Sequence, residues 1–187
     1  MESEDIWSKM MSGEEYDATH PGLRAKLQDT RMKLWEFNNL RPDKIDEIQK
    51  ILKKLFGSIG QRFIINQPFK CDYGCNIFLG EDCFINFNCT ILDEAKVTIG
   101  DNAFIGPNVS IYTACHPLDA NKRNKFIEWA EPVTIGNNVW IGGNVTILPG
   151  VEIGDNVVIG GGAVVTRSFP SNIVIGGNPA RIIKKLP

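Results

Sequence analysis

The sequence predicts a mainly β protein, a parallel β-helix preceded by a small helical region. Three observations favour this fold class: a six-residue repeat in the C-terminal part, a less regular run of the same repeat before it, and a helix-like apolar spacing in the first 60 residues. A six-residue period is typical of parallel β-helices, in which short strands alternate with tight corners.

The repeat is clearest from residue 133, where six hexads follow one another as VTIGNN, VWIGGN, VTILPG, VEIGDN, VVIGGG and AVVTRS. The first and third positions of each hexad hold Val, Ile or, once, Ala. Two apolar residues at a spacing of two lie on one face of a strand. The last three positions are rich in Gly, Asn and Asp, which tolerate the positive φ of a corner. We therefore predict stacked short strands with β-branched side chains turned inward.

The same pattern runs earlier in the chain. Its apolar pairs are Cys83/Ile85, Cys89/Ile91, Val97/Ile99, Ala103/Ile105 and Val109/Ile111. The third pair comes two residues late, after the segment LDEA. The β-helix is therefore expected over roughly 61–178, with one slip near Asp93 and one excursion over 112–132.

The first 60 residues predict helices, because their apolar residues recur at three and four positions. One pattern comprises Leu23, Leu27, Leu34 and Phe37 after Pro21, and a second comprises Ile45, Ile48, Leu52 and Leu55 before Gly57. A short helix is also expected at 3–11. The predicted division is a helical region over 1–60 and a β-helix over 61–187 with a basic C-terminal tail. The helical region would cover the open end of the solenoid or line a site.

The composition argues against nucleic-acid-binding, membrane and secreted proteins. The chain has 187 residues, a net charge of −2 and a pI of about 5.7, so its charge balance favours neither nucleic acid nor a membrane surface. No segment approaches the ~20 apolar residues of a membrane helix. The N-terminus, MESEDIWSKM, lacks the basic and apolar regions of a secretory signal. The expected location is cytoplasmic.

The five cysteines predict small core thiols. An odd number of cysteines argues against a disulfide framework. Structural zinc sites use two closely spaced pairs, and only Cys71 and Cys75 have such a spacing. Cys83 and Cys89 are six residues apart, which is the repeat period itself. Zinc is therefore the less favoured alternative.

The excursion carries His116, one of two histidines in the chain, within the segment YTACHPLD. Long loops on a rigid scaffold are disproportionately functional, and histidine is the natural general base near neutral pH. His116 is therefore the candidate catalytic residue. Neighbouring residues of an extended segment point to opposite faces, so Cys115 is predicted to pack rather than to pair with His116. His20, next to Pro21, is predicted to be a helix cap or a surface residue.

Four segments carry a resemblance to a known family: MMSGEEYDATHPGL, FKCDYGCNIFLGEDCFINFNCTILD, IYTACHPLD and VIGGNPARIIKK. Together with the hexads they resemble the maltose and galactoside O-acetyltransferases, which are hexapeptide-repeat acyltransferases, and most of all the maltose group. The resemblance implies a left-handed β-helix and a homotrimer with active sites between subunits. It also implies acetyl-CoA as donor, a sugar hydroxyl as acceptor and no metal. Two histidines also cannot supply the three that metal-dependent hexapeptide enzymes use.

The resemblance assigns residue roles by motif. His116 matches the general base, and Asn86 in NFN matches a residue that stabilises the transition state. Asp93 in ILD and Asp72 in CDYG match acceptor-contacting positions, although Asp72 is equally well read as a surface acid. Asp17 is a weaker match, because strict alignment puts the galactoside enzymes' aspartate on Ala18. This departure argues against a galactoside preference.

The family's CoA-binding positions fall on glycines and on the basic tail. They are Gly143, Gly161, Thr166, Arg167, Arg181 and Lys184, with Lys185 beside them. Glycines permit the pantetheine arm to approach the backbone, and the phosphates need cations. Trp140 is predicted to face outward, in a trimer contact or an active-site wall.

Two alternatives remain open at this point. The acceptor could be a galactoside, an antibiotic or an amino acid instead of a glucose-type sugar. The chain could also be a non-catalytic β-helix that serves as an assembly subunit.

Overall fold

The computed structural model describes residues 3–187 and shows a parallel β-helix with helices at its N-terminal end. The first elements are α1 (Ser3–Ser12), β1 (Tyr16–Asp17), α2 (Pro21–Asn39) and α3 (Ile45–Leu55). The strands before the excursion are β2 (Ser58–Ile59), β3 (Phe63–Ile65), β4 (Phe69–Cys71), β5 (Ile77–Leu79), β6 (Cys83–Ile85), β7 (Cys89–Leu92), β8 (Val97–Ile99), β9 (Phe104–Ile105) and β10 (Ser110–Tyr112). The excursion holds β11 (Ala114–Cys115), α4 (Ala120–Arg123) and β12 (Ile127–Ala130). The last strands are β13 (Val133–Ile135), β14 (Trp140–Ile141), β15 (Thr146–Ile147), β16 (Glu152–Ile153), β17 (Val157–Ile159), β18 (Val164–Val165), β19 (Ile173–Gly176) and β20 (Arg181–Lys185).

Three parallel sheets form the walls of the solenoid. Their strand orders are β2-β5-β8-β13-β16, β4-β7-β10-β15-β18 and β3-β6-β9-β14-β17-β19. The first and third hexad positions stack in register, as in Val97 with Val133 and Ile99 with Ile135, and these side chains are buried. Each buried Val or Ile contributes about 1.5–3 kcal/mol of hydrophobic free energy. The predicted β-helix is confirmed, including the two-residue slip between β7 and β8.

The corners use asparagine and glycine for different reasons. Positive φ falls mainly on Asn or Asp, with Asn138 at 56° and Asn156 at 54°. Gly100 has no positive φ; a Cβ there would lie 2.8 Å from the backbone of Gly136 on the next rung. The expectation that glycine is used for its tolerance of positive φ is therefore wrong for this corner. Here the glycine permits close stacking of successive rungs.

The N-terminal helices close one end of the β-helix. Pro21 begins α2, and the His20 side chain caps it by accepting a hydrogen bond from the Gly22 N–H at 3.2 Å. The capping role predicted for His20 is thereby confirmed. Phe37 of α2 and Leu52 of α3 are fully buried in the same core cluster as Phe69 of the first rungs. The cap and the solenoid therefore share one hydrophobic core.

The excursion contains regular structure. β11 and β12 form an antiparallel hairpin, and β12 also pairs antiparallel with β1. The N-terminal region and the excursion thus form one three-stranded sheet on the side of the solenoid. The basic tail likewise forms a strand, since β20 pairs antiparallel with β19.

The cysteines only partly match the prediction of core thiols. Cys71, Cys83 and Cys89 are buried, but Cys115 is partly exposed and Cys75 is exposed. Cys75 lies in the turn between β4 and β5, outside the hexad positions, so the stacking that buries the others does not reach it.

Within residues 3–187, no helix is both long enough and apolar enough to cross a membrane.

Candidate active site

The three-stranded sheet formed by β1, β12 and β11 carries the catalytic candidate. β1 aligns Tyr16 with Glu128, and β11 aligns Ala114 with Ala130 and Cys115 with Trp129. Continuing this antiparallel register by one residue places His116 opposite Glu128. Directly opposed residues are close side-chain neighbours, so Tyr16, Glu128 and His116 form one row across the sheet.

The His116 imidazole is accessible and faces one carboxylate. Its side chain is 57% exposed, and its Nδ1 lies 3.6 Å from Glu128 Oε2. This distance exceeds a hydrogen bond, but the charge of His116 is close enough to lower the pKa of Glu128. An exposed imidazole next to a carboxyl group suits proton transfer to and from a bound substrate.

Glu128 is held from behind by a tyrosine. The Tyr16 hydroxyl donates a hydrogen bond of 2.5 Å to Glu128 Oε1, and Tyr16 is almost fully buried. Burial raises the pKa of Glu128, while the Tyr16 hydrogen bond and the charge of His116 act in the opposite direction. Burial, aided by the Glu128 carboxylate, also raises the pKa of Tyr16, so the phenol stays a proton donor.

Asp93 is fully buried. Its Oδ1 accepts hydrogen bonds from the N–H groups of Asp72 and Tyr73 at 3.1 and 2.8 Å, and its Oδ2 accepts one from the Asn76 N–H at 3.3 Å. Burial raises the pKa of Asp93 to about 7, although the amide bonds from Tyr73 and Asn76 favour the charged form. In one subunit, Asp93 therefore holds the turn between β4 and β5.

Asp72 and Glu94 form a carboxyl pair beside Asp93. Burial is the main cause that raises the pKa of Glu94. The hydrogen bond with Asp72 and the negative charge of Asp72 raise it further. The side chain of Asp72 is partly exposed, and its charge also raises the pKa of Glu128. Asp72 therefore lies within electrostatic range of the Glu128–His116 pair.

Asp17 lies on the same sheet, next to Tyr16, and is exposed. Its Oδ1 accepts hydrogen bonds from the Thr19 N–H at 2.8 Å and the Thr19 hydroxyl at 2.7 Å. These two bonds lower the pKa of Asp17. One of its carboxylate oxygens is therefore engaged locally, and the other is available to a ligand.

Asn86 lies on a different wall. It follows β6, and its side-chain oxygen accepts hydrogen bonds from the Phe87 N–H at 2.8 Å and from Asn66 Nδ2 at 3.3 Å. The sheet that contains β6 and the sheet that carries His116 have no strand in common. A single chain thus places Asp72 within electrostatic range of Glu128, the neighbour of His116, and Asp17 on the same three-stranded sheet, whereas Asn86 belongs to another wall.

The residues predicted to bind CoA lie towards the C-terminal end of the solenoid. Gly143 and Gly161 are stacked on successive rungs, because the Gly162 N–H donates to the Gly143 carbonyl at 2.9 Å. The Ala180 N–H donates to the Val164 carbonyl at 2.8 Å, which brings the tail next to β18. The six predicted CoA contacts are Gly143, Gly161, Thr166, Arg167, Arg181 and Lys184, all of them partly or fully exposed.

An apolar row runs along the outside of the wall that carries Asn86. Cross-strand registers align six outward residues in sequence: Ile64, Phe84, Phe104, Trp140, Val158 and Val174. We call this set the outer apolar row. Phe104 is 54% exposed and Trp140 is 59% exposed. Contiguous exposed apolar surface of this kind marks interaction sites. The outward orientation predicted for Trp140 is confirmed.

Comparison with known proteins gives a consistent result. Residues 9–60 match the maltose acetyltransferase hexapeptide capping motif, and residues 132–167 match the bacterial transferase hexapeptide repeats. A maltose O-acetyltransferase structure from Clostridium difficile 630 is 48% identical, with a TM-score of 0.96 and 97% of both chains covered. The galactoside O-acetyltransferase of Escherichia coli is 38% identical over 88% of this chain and 81% of that protein.

The chain belongs to the maltose/galactoside O-acetyltransferase family. A solved structure of a galactoside acetyltransferase in complex with coenzyme A is also similar, with 37% identity, a TM-score of 0.94, and coverage of 97% of this chain and 91% of that one. The similarity extends over the helical cap, the solenoid and the excursion.

Three residues of the candidate site were not predicted from the sequence: Tyr16, Glu94 and Glu128. None lies in a hexad position. Among these three, only Glu128 could have been noticed as a candidate site residue, since it is an acidic residue inside the short run IEWA. Tyr16 and Glu128 are 112 residues apart, and no local pattern predicts their contact.

Replacing Asp93 with alanine is expected to destabilise the acetyltransferase fold by about 1–3 kcal/mol, because buried amide donors lose their acceptor. The measurement is chemical unfolding of the wild type and the variant. Asp101→Ala is the matched control. Asp101 also accepts an amide bond from the neighbouring rung, from the Glu81 N–H at 2.8 Å, but that bond is exposed and water can replace it. An Asp93→Ala variant of unchanged stability but raised KM for the acceptor would instead favour direct substrate contact.

Proposed function

We propose that the protein transfers the acetyl group of acetyl-CoA to a hydroxyl of a glucose- or maltose-type sugar, with His116 as the general base. One observation carries the proposal. In a chain that belongs to this acetyltransferase family, the exposed imidazole in the excursion faces the largely buried carboxylate of Glu128 at 3.6 Å.

The chemistry requires no covalent enzyme intermediate. His116 takes the proton of the acceptor hydroxyl as its oxygen attacks the thioester carbonyl carbon. A new C–O bond forms, and the C–S bond breaks when the tetrahedral intermediate collapses. The CoA sulfur leaves and takes the proton back from the imidazolium. The side-chain amide of Asn86 stabilises the oxyanion through a hydrogen bond.

The donor is proposed to lie along the C-terminal end of the solenoid. The comparison protein that binds coenzyme A supports this choice of donor. Gly143 and Gly161 leave room for the pantetheine arm. Arg167, Arg181 and Lys184 supply the positive charge that the phosphates of CoA require. No metal is assigned a role in this scheme.

The active unit is proposed to be a homotrimer with its sites between subunits. Two observations support this arrangement. His116 and Asn86 lie on different walls of one chain, so a site that uses both needs a second copy. The outer apolar row beside Asn86 is exposed in the single chain and suits burial against another subunit.

The acceptor is proposed to meet the carboxylates near His116. Asp17 and Asp72 are accessible from solvent, and carboxylates accept hydrogen bonds from several sugar hydroxyls at once. Asp93 is assigned to acceptor binding by family resemblance, although in one subunit its carboxylate is buried.

A thiol-release assay with a panel of acceptors tests this function. We expect glucose and maltose to give the highest kcat/KM, ahead of galactosides, an antibiotic alcohol and serine. The free thiol of CoA is measured, and the acetylated product is identified by mass spectrometry. A preference for any of the other acceptors would keep the acetyl transfer and reject the glucose-type assignment. Absence of CoA binding in a thermal-shift titration would favour a non-catalytic subunit.

A further inference from the structure

We propose that Glu128 is a positioning residue for His116 and that Tyr16 of the N-terminal region holds Glu128 in place. The proposal rests on the proposed function, since it concerns the residue that acts there as general base. It assigns the N-terminal region a part in catalysis besides closing the end of the solenoid.

The sheet geometry is the first support. Tyr16, Glu128 and His116 come from three neighbouring strands or their direct continuation, β1, β12 and β11. Glu128 lies on the middle strand and uses one carboxylate oxygen for each neighbour. Oε1 accepts the hydrogen bond from the Tyr16 hydroxyl, and Oε2 faces His116 Nδ1. The backbone register therefore fixes the order tyrosine, carboxylate, imidazole.

The difference in burial is the second support. The Glu128 side chain is 12% exposed, whereas the His116 side chain is 57% exposed. Packing alone therefore does not fix the imidazole, and a polar contact is needed to orient it. A buried carboxylate held by a short hydrogen bond is a fixed reference point for that contact.

The contact between Glu128 and His116 Nδ1 affects which imidazole nitrogen carries the proton. A neutral imidazole carries its proton on one of two nitrogens, and the partner of one nitrogen decides which. A carboxylate facing Nδ1 favours the Nδ1–H tautomer, because it can only accept a hydrogen bond. Nε2 then keeps its lone pair and is free to take the proton of an acceptor hydroxyl. At 3.6 Å the pair is not hydrogen-bonded, and we expect the exposed ring to turn until Nδ1–H donates to Oε2.

Tyr16 acts through Glu128 and not on the imidazole directly. Its hydroxyl can donate only one hydrogen bond, and that bond goes to Glu128. The bond lowers the pKa of Glu128, against the effect of burial, and so favours the charged carboxylate. Replacement by phenylalanine preserves the ring, which packs with Ile6, Met10 and Leu23, and removes only this donor.

Glu128→Gln tests the first part of the proposal. The glutamine amide can donate to Nδ1 and so favours the opposite tautomer. We expect kcat to fall by roughly 10–10³-fold, less than the ~10⁴-fold loss known for a histidine base held in the wrong tautomer in a buried triad, because His116 is exposed, with KM for acetyl-CoA within about twofold. Nitrogen-15 NMR of labelled imidazoles is expected to show His116 shifting towards Nε2–H. His20 is the internal reference, since the chain has only two histidines.

Glu131→Gln is the matched control for Glu128→Gln. Glu131 lies three residues further on, is exposed, and accepts a hydrogen bond from Trp129 Nε1 at 3.1 Å. We expect wild-type kcat and an unchanged His116 spectrum. An unchanged His116 tautomer in Glu128→Gln would overturn the proposal. The NMR readout needs no substrate, so it also tests the contact if the sugar acceptor or the general-base assignment proves wrong.

Tyr16→Phe and the double variant test the second part. We expect Tyr16→Phe to lower kcat by roughly 3–10-fold, less than Glu128→Gln, because the carboxylate itself remains. In Tyr16→Phe/Glu128→Gln we expect no loss beyond that of Glu128→Gln, since residues that act through one another are not additive. Losses that multiply in the double variant would show that Tyr16 acts independently of Glu128 and would overturn this part.

Discussion

His116→Ala is expected to lower kcat by about 10²–10⁴-fold while the fold remains intact. The loss follows from the proposed role of His116, since alanine cannot accept the proton of the acceptor hydroxyl. The thermal midpoint should stay within about 2 °C of the wild type, because exposed side chains outside the core contribute little to stability. Steady-state kinetics with saturating acetyl-CoA and circular dichroism measure the two effects.

His20→Asn is the control for this substitution. His20 caps α2 with a side-chain acceptor, and the asparagine oxygen can replace it. We expect wild-type turnover from this variant. A well-folded His116→Ala protein with unchanged kcat would refute the role of His116 as general base.

The solenoid was predictable from sequence because its interactions are local and periodic. Each inward Val or Ile stacks on the residue in the same position one rung away, as Ile141 does on Ile159. A period of six in the sequence therefore translates directly into three stacked sheets. The slip near Asp93 was visible for the same reason, since it shifts the register of the pattern by two residues.

The centre of the candidate site was predictable only in part. His116 was indicated by its place in the excursion, where the repeat is interrupted. Its neighbours Glu128 and Tyr16 were not, because antiparallel pairing between β1 and β12 joins segments 112 residues apart. Long-range pairing of this kind leaves no periodic signal in either segment.

Asp93 shows how a motif can leave the role of a residue open. The resemblance assigns the acid of the motif ILD to acceptor binding. The structure adds that its carboxylate accepts three backbone amide bonds within the subunit. Such bonds depend on the turn over 72–76, whose shape no hexad pattern specifies.

Phe104→Asp is expected to convert the proposed oligomer into a folded, inactive monomer. Phe104 lies in the middle of the outer apolar row, between Phe84 and Trp140. A carboxylate there would have to be desolvated on association, which is costly without a partner. The side chain already faces solvent in the single chain, so the solenoid core is not affected. Sedimentation analysis gives the mass, and the thiol-release assay gives the activity.

Thr134→Asp is the matched control for Phe104→Asp. Thr134 is an exposed, outward residue of β13, on a wall whose aligned neighbours Thr98 and Glu152 are polar. We expect this variant to keep the mass and the activity of the wild type. A Phe104→Asp protein that remains a fully active oligomer would show that the outer apolar row is not the subunit interface.

Mixing two inactive variants tests whether each active site contains residues from two chains. His116→Ala supplies an intact Asn86, and Asn86→Ala supplies an intact His116. If one subunit provides the base and its neighbour provides the amide, random reassembly restores both groups at about a quarter of the sites, by the combinatorics of a cyclic trimer. We therefore expect about a quarter of wild-type activity after joint refolding, and at most about 1% from either variant alone. If both residues acted within one chain, no intact site could form in any mixture, because every chain lacks one of the two groups.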